Sequence, residues 1–477
     1  MAIVGGGIAG LATAFALQEQ AAQAGVSLAC TLIEAAPRWG GKLATKRVGE
    51  FLVEQGPDSF LSQKPEALEL CARLGLSDHL INTNEANKGA FVYSRGRLRA
   101  LPEGLVVIVP GKLGPFLRSG LLSWVGIARM GMDLVLPRGH AKGDESLAVF
   151  FRRRFGPEAF ERLIEPLMAG IYGGDAEQMS LRATFPRFLE IERKHRSVIR
   201  GMLVKPTGKR PPSSGNRTLF VTLKQGMSQL ADTLTVQVGR GGAALLPGRR
   251  VTAIKAPSVR SKVWIYDLVL DDGSAVTADA VVLATPAYVT ADLLRPHSRA
   301  AAEKLESIPY TSTAAVSLAY RTNELGPGFR GFGFVVPRAE GRDLIAATYT
   351  SNKWAHRAPA TQALIRCYVG GVGREDIVKS DDETLVRRVR EELRTIAGIA
   401  AEPVHVEVSR WERAMPQYVV GHPNRLEAIQ VALNPFHGLY LTGSAYRGVG
   451  IPDCIKDGTD TASLLFRYIT GQDIPRE

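Results

Sequence analysis

Gly5-Gly6-Gly7-Ile8-Ala9-Gly10 follows a short apolar strand, Ile3-Val4, and opens an Ala- and Leu-rich run that reaches about Gln23 before Gly25. In a Gly-x-Gly-x-x-Gly turn the first glycine permits the bend. The second lets backbone amides approach a pyrophosphate, and the third lets helix and strand pack closely, with the positive helix end facing the negative charge. Val26 to Ile33 reads as the next buried parallel strand. It ends at Glu34, 24 residues after Gly10, where a carboxylate can accept both ribose hydroxyls. A plain glycine turn in an α/β domain has no need of that acid. Strand, turn, helix, strand and acid together predict a dinucleotide site. Far along the chain, Gly443-Ser444-Ala445-Tyr446-Arg447-Gly448-Val449-Gly450-Ile451-Pro452-Asp453-Cys454 returns to the same glycine-rich character ahead of a helix expected from about Asp453. Backbone donors and a positive helix end there suit an electron-rich ring edge. The two ends of the chain therefore read as halves of one cofactor site.

The segment Glu34-Ala35-Ala36-Pro37-Arg38-Trp39-Gly40-Gly41-Lys42 separates FAD from NAD. It resembles the Arg-x-Gly-Gly-Arg/Lys loop of the flavin amine oxidase superfamily. That resemblance implies basic side chains and bare backbone lining the pyrophosphate and the flavin. No cysteine sits in a covalent-flavin motif, so the FAD is expected to be held non-covalently.

The chain has 477 residues, which suits two or three domains. It contains no run of 18 uncharged apolar residues, so no transmembrane helix is expected. It opens on a cofactor strand rather than a basic region followed by an apolar stretch, so no signal peptide is expected. Cys30, Cys71, Cys367 and Cys454 are scattered, which suits a reducing cytoplasm and argues against a zinc site or structural disulfides. The net charge of +12 is concentrated: residues 81–219 carry 23 Lys and Arg against 12 Asp and Glu, and the rest of the chain 36 against 35. Such a module favours an anionic partner, a membrane surface for instance. Nucleic acid is not expected, because no recognised binding module accompanies the charge.

Within that basic interval, Leu105 to Val109 and Gly120 to Ile127 are apolar stretches with basic flanks and a Trp. They fit a surface lying on a membrane without crossing it, or ordinary buried helices. Lys205 to Asn216 reads as a polar loop. Gln225 to Leu230 opens a helix leading into Val236, and Val251 to Ile254 starts a strand. Trp264 to Leu270 and Ala275 to Thr277, joined by Asp271-Asp272-Gly273-Ser274, read as a hairpin. Asp279 to Pro286 reads as a buried strand returning to the cofactor domain, and Asp382 to Ala397 as a charged helix. The fold expected is α/β combined with α+β. A discontinuous Rossmann-like FAD-binding domain comprises 1–80, 220–308 and 410–477. A mixed-sheet substrate domain covers 309–409, and a mainly helical basic domain is inserted at 81–219.

Four blocks carry a family resemblance: Glu54 to Phe60, Leu163 to Asp175, Met415-Pro416-Gln417-Tyr418 with Gly421-His422, and Asp453-Cys454-Ile455. Together they resemble the oxygen-dependent porphyrinogen oxidases of haem synthesis, the protoporphyrinogen IX and bacterial coproporphyrinogen III oxidases, nearly end to end. The resemblance implies FAD contacts at Gly5, Gly6, Gly7, Ile8, Ala9, Gly10, Glu34, Ala35, Arg38, Gly41, Lys42, Gly56, Pro57, Asp58, Ser59, Val251, Trp411, Ser444, Val449, Gly450 and Ile451. It places the porphyrinogen between Phe332 and Val335, with Tyr368 as another wall and Gly170 offering a carbonyl to the ring's centre. One departure bears on the substrate. Many protoporphyrinogen oxidases carry a propionate-binding Arg just before a Phe-x-Tyr segment, whereas Ala90 precedes Phe91-Val92-Tyr93 here. Asp58 and Lys64, with Thr350 to Trp354, resemble the Gram-positive coproporphyrinogen branch, in which Lys64 would anchor a carboxylate. Both porphyrinogens remain open.

The chemistry so implied passes a hydride from a meso-methylene to the flavin, releases a pyrrole proton and returns electrons to O2 as H2O2, over three rounds. The cofactor does the hard step, so no catalytic acid or base is assigned, and His195 and His422 are expected to be structural. No metal is expected. The partners expected are the porphyrinogen, O2 and either a membrane surface or the next enzyme of the haem pathway. Two other classes fit the scaffold: a flavin amine oxidase or carotenoid desaturase, with Lys353 as the amine oxidase lysine, and a porphyrin-binding haem-delivery protein.

Overall fold

In the computed structural model the described residues are 1–101, 105–106, 109–110, 117, 119–139, 143–204, 216–260 and 263–472. The polar loop expected at Lys205 to Asn216 lies outside them up to residue 215, as do Val107 and Ile108 of the first apolar stretch.

Five parallel strands form the cofactor sheet, in the spatial order Ala244–Pro247, Thr31–Glu34, Ala2–Val4, Val281–Leu283, Leu439–Leu441. The strands come from the beginning, middle and end of the chain, so the sheet exists only when remote segments return. Every residue of Ala2–Val4 and Val281–Leu283 is buried, as a sheet covered on both faces requires. The helix Ile8–Ala24 covers one face beside the C-terminal helix Ile451–Ile469. Gly458 allows their close approach, since a Cβ there would lie 2.6 Å from the Ala9 carbonyl oxygen. The second strand is shorter than the sequence suggests. Only Thr31–Glu34 pairs, Thr31 to Ile33 with Ala2–Val4 and Thr31 to Glu34 with Ala244–Pro247.

A second, seven-stranded sheet runs in the order His405–Pro416, Tyr310–Arg321, Gln362–Gly370, Leu344–Tyr349, Gly333–Val335, Phe91–Ser94, Arg97–Ala100. All neighbours are antiparallel except Gly333–Val335 with Phe91–Ser94. The helix Asp382–Ala397 packs its Leu385, Val389 and Leu393 stripe on this sheet. It starts where the Asp381 side chain accepts from the Thr384 amide, and it stops at Gly398 in the left-handed region.

The interval 81–219 is not one helical insert. Phe91–Ala100 supplies two strands of the seven-stranded sheet, and Leu80–Asn82 pairs with Phe220–Leu223 in a three-stranded sheet with Phe60–Leu61. The helices lie further along, among them Trp124–Gly131, Leu147–Phe155, Glu165–Tyr172, Pro186–His195 and Val198–Leu203. Their core is aromatic, with Phe150, Phe151, Phe155, Phe160 and Phe188 all buried. A buried ion network ties them together. The Arg154 guanidinium pairs with Asp133 and donates to the carbonyls of Pro137 and Arg196 at 2.9 and 2.8 Å. Asp133 in turn accepts from Ser197 Oγ and the Ile199 amide, at 2.6 and 2.9 Å.

Candidate functional site

The glycine turn is closely packed on every side but one. A Cβ at Gly10 would lie 2.0 Å from the Gly5 carbonyl oxygen, and one at Gly6 would lie 2.3 Å from the Trp39 ring. At Gly7 a Cβ would meet nothing within 4 Å, so that face is open. Gly7 caps the helix Ile8–Ala24 with no side-chain acceptor, and the first turn carries no acid. An uncapped, unneutralised helix start bordered by bare backbone fits a pyrophosphate.

Glu34 stands beside this turn. Its Oε2 accepts from the Gly6 amide at 2.6 Å and its Oε1 from the Ala36 amide at 2.7 Å, which fixes the carboxylate at the end of its strand. The Arg249 and Gly248 amides donate to the carbonyls of Glu34 and Ala36, both at 2.9 Å. That crossing brings Val251, buried in its strand, to the same edge. Ala35 is exposed next to Glu34. Arg38 folds back on its own loop and donates to the carbonyls of Gly41 and Leu43, at 2.5 and 3.2 Å. Gly41 adopts a φ of +56° with its would-be Cβ 3.1 Å from Gly7 Cα, so the loop lies directly on the glycine turn.

Lys42 then crosses to the other half of the site. Its Nζ donates to the Ala414 carbonyl and lies 3.5 Å from Ser444 Oγ; burial pushes its pKa down. At Gly56 a Cβ would sit 1.8 Å from the Lys42 carbonyl oxygen. The Trp411 indole donates to the Gln55 carbonyl at 2.7 Å. The first and last thirds of the chain therefore meet around Lys42, Gln55–Gly56, Trp411 and Ser444.

The returning segment is held from its own helix. Asp457 Oδ2 accepts from Thr442 Oγ1 and the Gly443 amide at 2.8 and 3.0 Å, and its Oδ1 accepts from Arg447 at 2.9 Å. Gly450 caps the helix Ile451–Ile469 without a side-chain acceptor. This second uncapped helix start has Val449, Gly450 and Ile451 at its mouth. Cys454 is buried with its thiol pushed up to about 12, chiefly by burial, as fits a packed residue.

Asp58 and Ser59 do not stand free for a ligand. Asp58 Oδ2 accepts from Lys353 Nζ at 3.2 Å and from the Trp354 indole at 3.1 Å, while Oδ1 accepts from Ser59 Oγ at 2.6 Å. Burial alone would raise the carboxyl. Lys353, the Ser59 hydroxyl, Arg366 and Trp354 outweigh it and hold Asp58 well below its ordinary range. Pro57 sits between this cluster and Gly56. Lys353 is thereby occupied, with its ammonium also 5.2 Å from the Phe220 ring and 4.9 Å from the Trp354 ring.

The expected substrate wall lies on the seven-stranded sheet. Val335 is half-buried opposite Ala346 and Val92. The Phe332 amide donates to the Gly89 carbonyl at 2.6 Å, and Phe332 is also half-buried. Tyr368 pairs with Ala315 and Ala346 beneath the Arg366 guanidinium, 5.0 Å from its ring. Gly170 lies in the helix Glu165–Tyr172. Val335 and Val449 both pack against the aromatic core of the helices, so that core closes over wall and cofactor segment together. Lys64 Nζ lies 2.5 and 2.6 Å from the two oxygens of Asp453, in the first turn of the C-terminal helix. His422 is buried, with Nε2 3.0 Å from the Tyr446 carbonyl, and burial lowers its pKa to about 4. It is a neutral structural group at neutral pH.

The roles of Asp457 and Arg366, and the pairing of Lys64 with Asp453, are not legible in the sequence. Each acts across 10 to several hundred residues of chain. The one local signal is Asp457 itself, an acid one helical turn after Asp453. Among the described residues no group of three or more His, Cys, Asp or Glu could hold a metal ion, and no helix is long and apolar enough to cross a membrane.

Residues 8–465 match the family of flavin containing amine oxidoreductases. The chain is similar to coproporphyrinogen III oxidase of Bacillus subtilis (strain 168), 39% identical over 98% of each chain. It is 34% identical to the chloroplastic protoporphyrinogen oxidase of Oryza sativa subsp. japonica, over 98% of this chain and 88% of that one. A crystal structure assigned as a protoporphyrinogen oxidase from Exiguobacterium sp. 255-15 superposes with a TM-score of 0.84 at 33% identity, covering 98% of both chains. Cyclohexylamine oxidase from Brevibacterium oxydans IH-35A shares the fold at 17% identity, with a TM-score of 0.67. With a flavin-shaped cradle at its centre and relatives of this kind along its whole length, the chain belongs to the flavin containing amine oxidoreductase family.

Proposed function

We propose that the chain is an FAD-dependent oxidase that converts a porphyrinogen to a porphyrin in haem biosynthesis, with coproporphyrinogen III as the preferred substrate. The observation that carries this reading is the shared packing of Val335 and Val449 on one helical core. It brings an apolar wall and the segment that would hold the flavin's pyrimidine edge onto the same core, as suits an apolar macrocycle. The relatives named as coproporphyrinogen III and protoporphyrinogen oxidases support the same substrate class.

When bound non-covalently, FAD would accept electron pairs from the substrate and pass them to O2, giving H2O2. The chain's own residues bind and orient. The helix starts at Gly7 and Gly450 would receive the pyrophosphate and the pyrimidine edge. Glu34 would receive the ribose and Lys42 would lie along the isoalloxazine. Val335, Phe332 and Tyr368 would fix the macrocycle's plane, and the helical core would exclude water. Lys64 would anchor a carboxylate, in exchange for Asp453. The amine oxidase reading loses its lysine, because Lys353 is spent on Asp58.

The expected assay result is porphyrin fluorescence and peroxide from chemically reduced coproporphyrinogen III, faster than from protoporphyrinogen IX. Absence of turnover with both would end the reading, and turnover of polyamines instead would move the chain to another branch. Lys64→Ala should raise KM about tenfold, the scale of one charge-assisted contact, with kcat little changed. An unchanged KM would remove Lys64 from the site.

Exposed Trp124, Val125, Leu134 and Val135, on a net basic stretch, also support peripheral contact with an anionic membrane surface.

A further inference from the structure

Met415-Pro416-Gln417-Tyr418 marked the family resemblance, and nothing in the reaction uses it. In the structure it is the junction of three parts of the molecule. The Gln417 amide donates to the Pro309 carbonyl at 2.8 Å, at the edge of the seven-stranded sheet. The Gln417 side-chain amide donates to the Tyr172 carbonyl at 2.9 Å, at the end of the helix Glu165–Tyr172. The Ser180 amide donates to the Tyr418 carbonyl at 2.7 Å. The Tyr418 side chain then turns the other way, into the cofactor half. Its hydroxyl donates to the Ser444 carbonyl at 2.7 Å and accepts from the Gly448 amide at 2.8 Å.

Those two groups are the ends of the turn Ser444–Gly448, which delivers Val449, Gly450 and Ile451 to the helix start. Tyr418 is fully buried, so its hydroxyl has these two groups as partners rather than bulk water. The ring cannot swing away. It stacks on His422 with centroids 4.2 Å apart and an interplanar angle of 12°, and it meets Tyr172 on another side. His422 is itself pinned, because the Nε2 facing the Tyr446 carbonyl must carry the proton to bond there.

We propose that Tyr418 is a positioning residue. One hydroxyl fixes both ends of the Ser444–Gly448 turn, so that the backbone amides after it are aimed at the flavin's pyrimidine edge and favour its reduced, anionic form. The inference rests on the FAD reading of the site and goes beyond it by naming what sets the geometry. Removing the hydroxyl takes one partner from both the Ser444 carbonyl and the Gly448 amide, on half-buried residues, while a phenyl ring nearly keeps the volume. The turn then relaxes, and the amides lose their aim without a cavity being made.

The test is the reduction potential of flavin bound to Tyr418→Phe and to the wild-type holoprotein. The expected result is a tenfold loss of affinity for reduced relative to oxidised flavin, a potential about 30 mV lower for a two-electron couple. A changed flavin absorption band and a lower kcat at unchanged KM should accompany it. A structural role alone would lower thermal stability or flavin content but leave the potential of the bound flavin where it was, and that result overturns the proposal. If Tyr418→Phe does not fold, 3-fluorotyrosine at position 418 keeps the ring and the hydroxyl but weakens the oxygen as an acceptor. It should shift the ratio in the same direction by about twofold, and no shift overturns the proposal. A wild-type protein that binds no FAD would instead bring down the cofactor reading, a different outcome from an unmoved potential.

Discussion

The nucleotide cradle and the helical module are stabilised by opposite means. The cradle is backbone against backbone: Gly5, Gly10 and Gly56 are places where another main chain comes too close for a Cβ, and two helix starts are left without side-chain caps. The helical module is side chain against side chain: an aromatic core around Phe151 and a fully buried Arg154–Asp133 pair. The first arrangement tolerates almost no change at a few positions, because main chain cannot move aside. The second spreads its stability over many contacts, with a few buried charges whose loss is costly. A site that must hold one invariant cofactor and close over a large flexible substrate has reason to use both.

The sharpest way to break this comparison is Gly10→Val. Its side chain would collide with the Gly5 carbonyl, an atom fixed by the Gly5 amide's own 2.8 Å bond to Ile33. The expected outcome is purified protein without flavin, measured by absorbance after desalting. Flavin content near wild type would show that the turn can open. Next in size is Arg154→Met, which strands Asp133 without its counter-charge. A loss of about 3–5 kcal/mol is expected in denaturant unfolding, the range for breaking a buried ion pair. Flavin content should stay near that of the wild type. Parallel loss of flavin would mean that the two regions form a single cooperative unit rather than contrasting ones. The smallest effect is expected at Trp124 and Val125, which are 74 and 79% exposed. Replacing both with Ser should change stability by no more than about 0.5 kcal/mol, as for surface sites. It should still weaken sedimentation with anionic vesicles at low salt. Binding unaffected by the substitutions or by salt would dissociate this face from the membrane.

What the sequence discloses follows the same division. The glycine turn, its helix and Glu34 are legible because their geometry is local and the rules of the backbone are strict. The helix Asp382–Ala397 is legible for the same reason, with Asp381 and Gly398 marking its ends. Phe91–Ala100 is different. It looks like part of the basic insert, yet it completes the seven-stranded sheet, with Phe91 and Val92 pairing in parallel with Phe334 and Val335, more than 200 residues away. No local pattern carries that register. Strand Thr31–Glu34 is shorter than its apolar run, matching the four residues of Ala244–Pro247 that pair with it. The site divides likewise. The resemblance places Gly56 to Ser59 at the cofactor, but only the fold shows Asp58 committed to Lys353 and Trp354, and Lys64 to Asp453. Tyr418 is the extreme case, since its role depends on three segments arriving together.

The most direct test of the whole account is to add chemically reduced coproporphyrinogen III, without air, to the purified yellow holoprotein and follow the flavin band. Bleaching of that band with matching growth of porphyrin fluorescence, then recovery of the yellow colour and release of H2O2 on admitting O2, is the predicted result. A flavin band that stays unchanged while the porphyrinogen is present would contradict it.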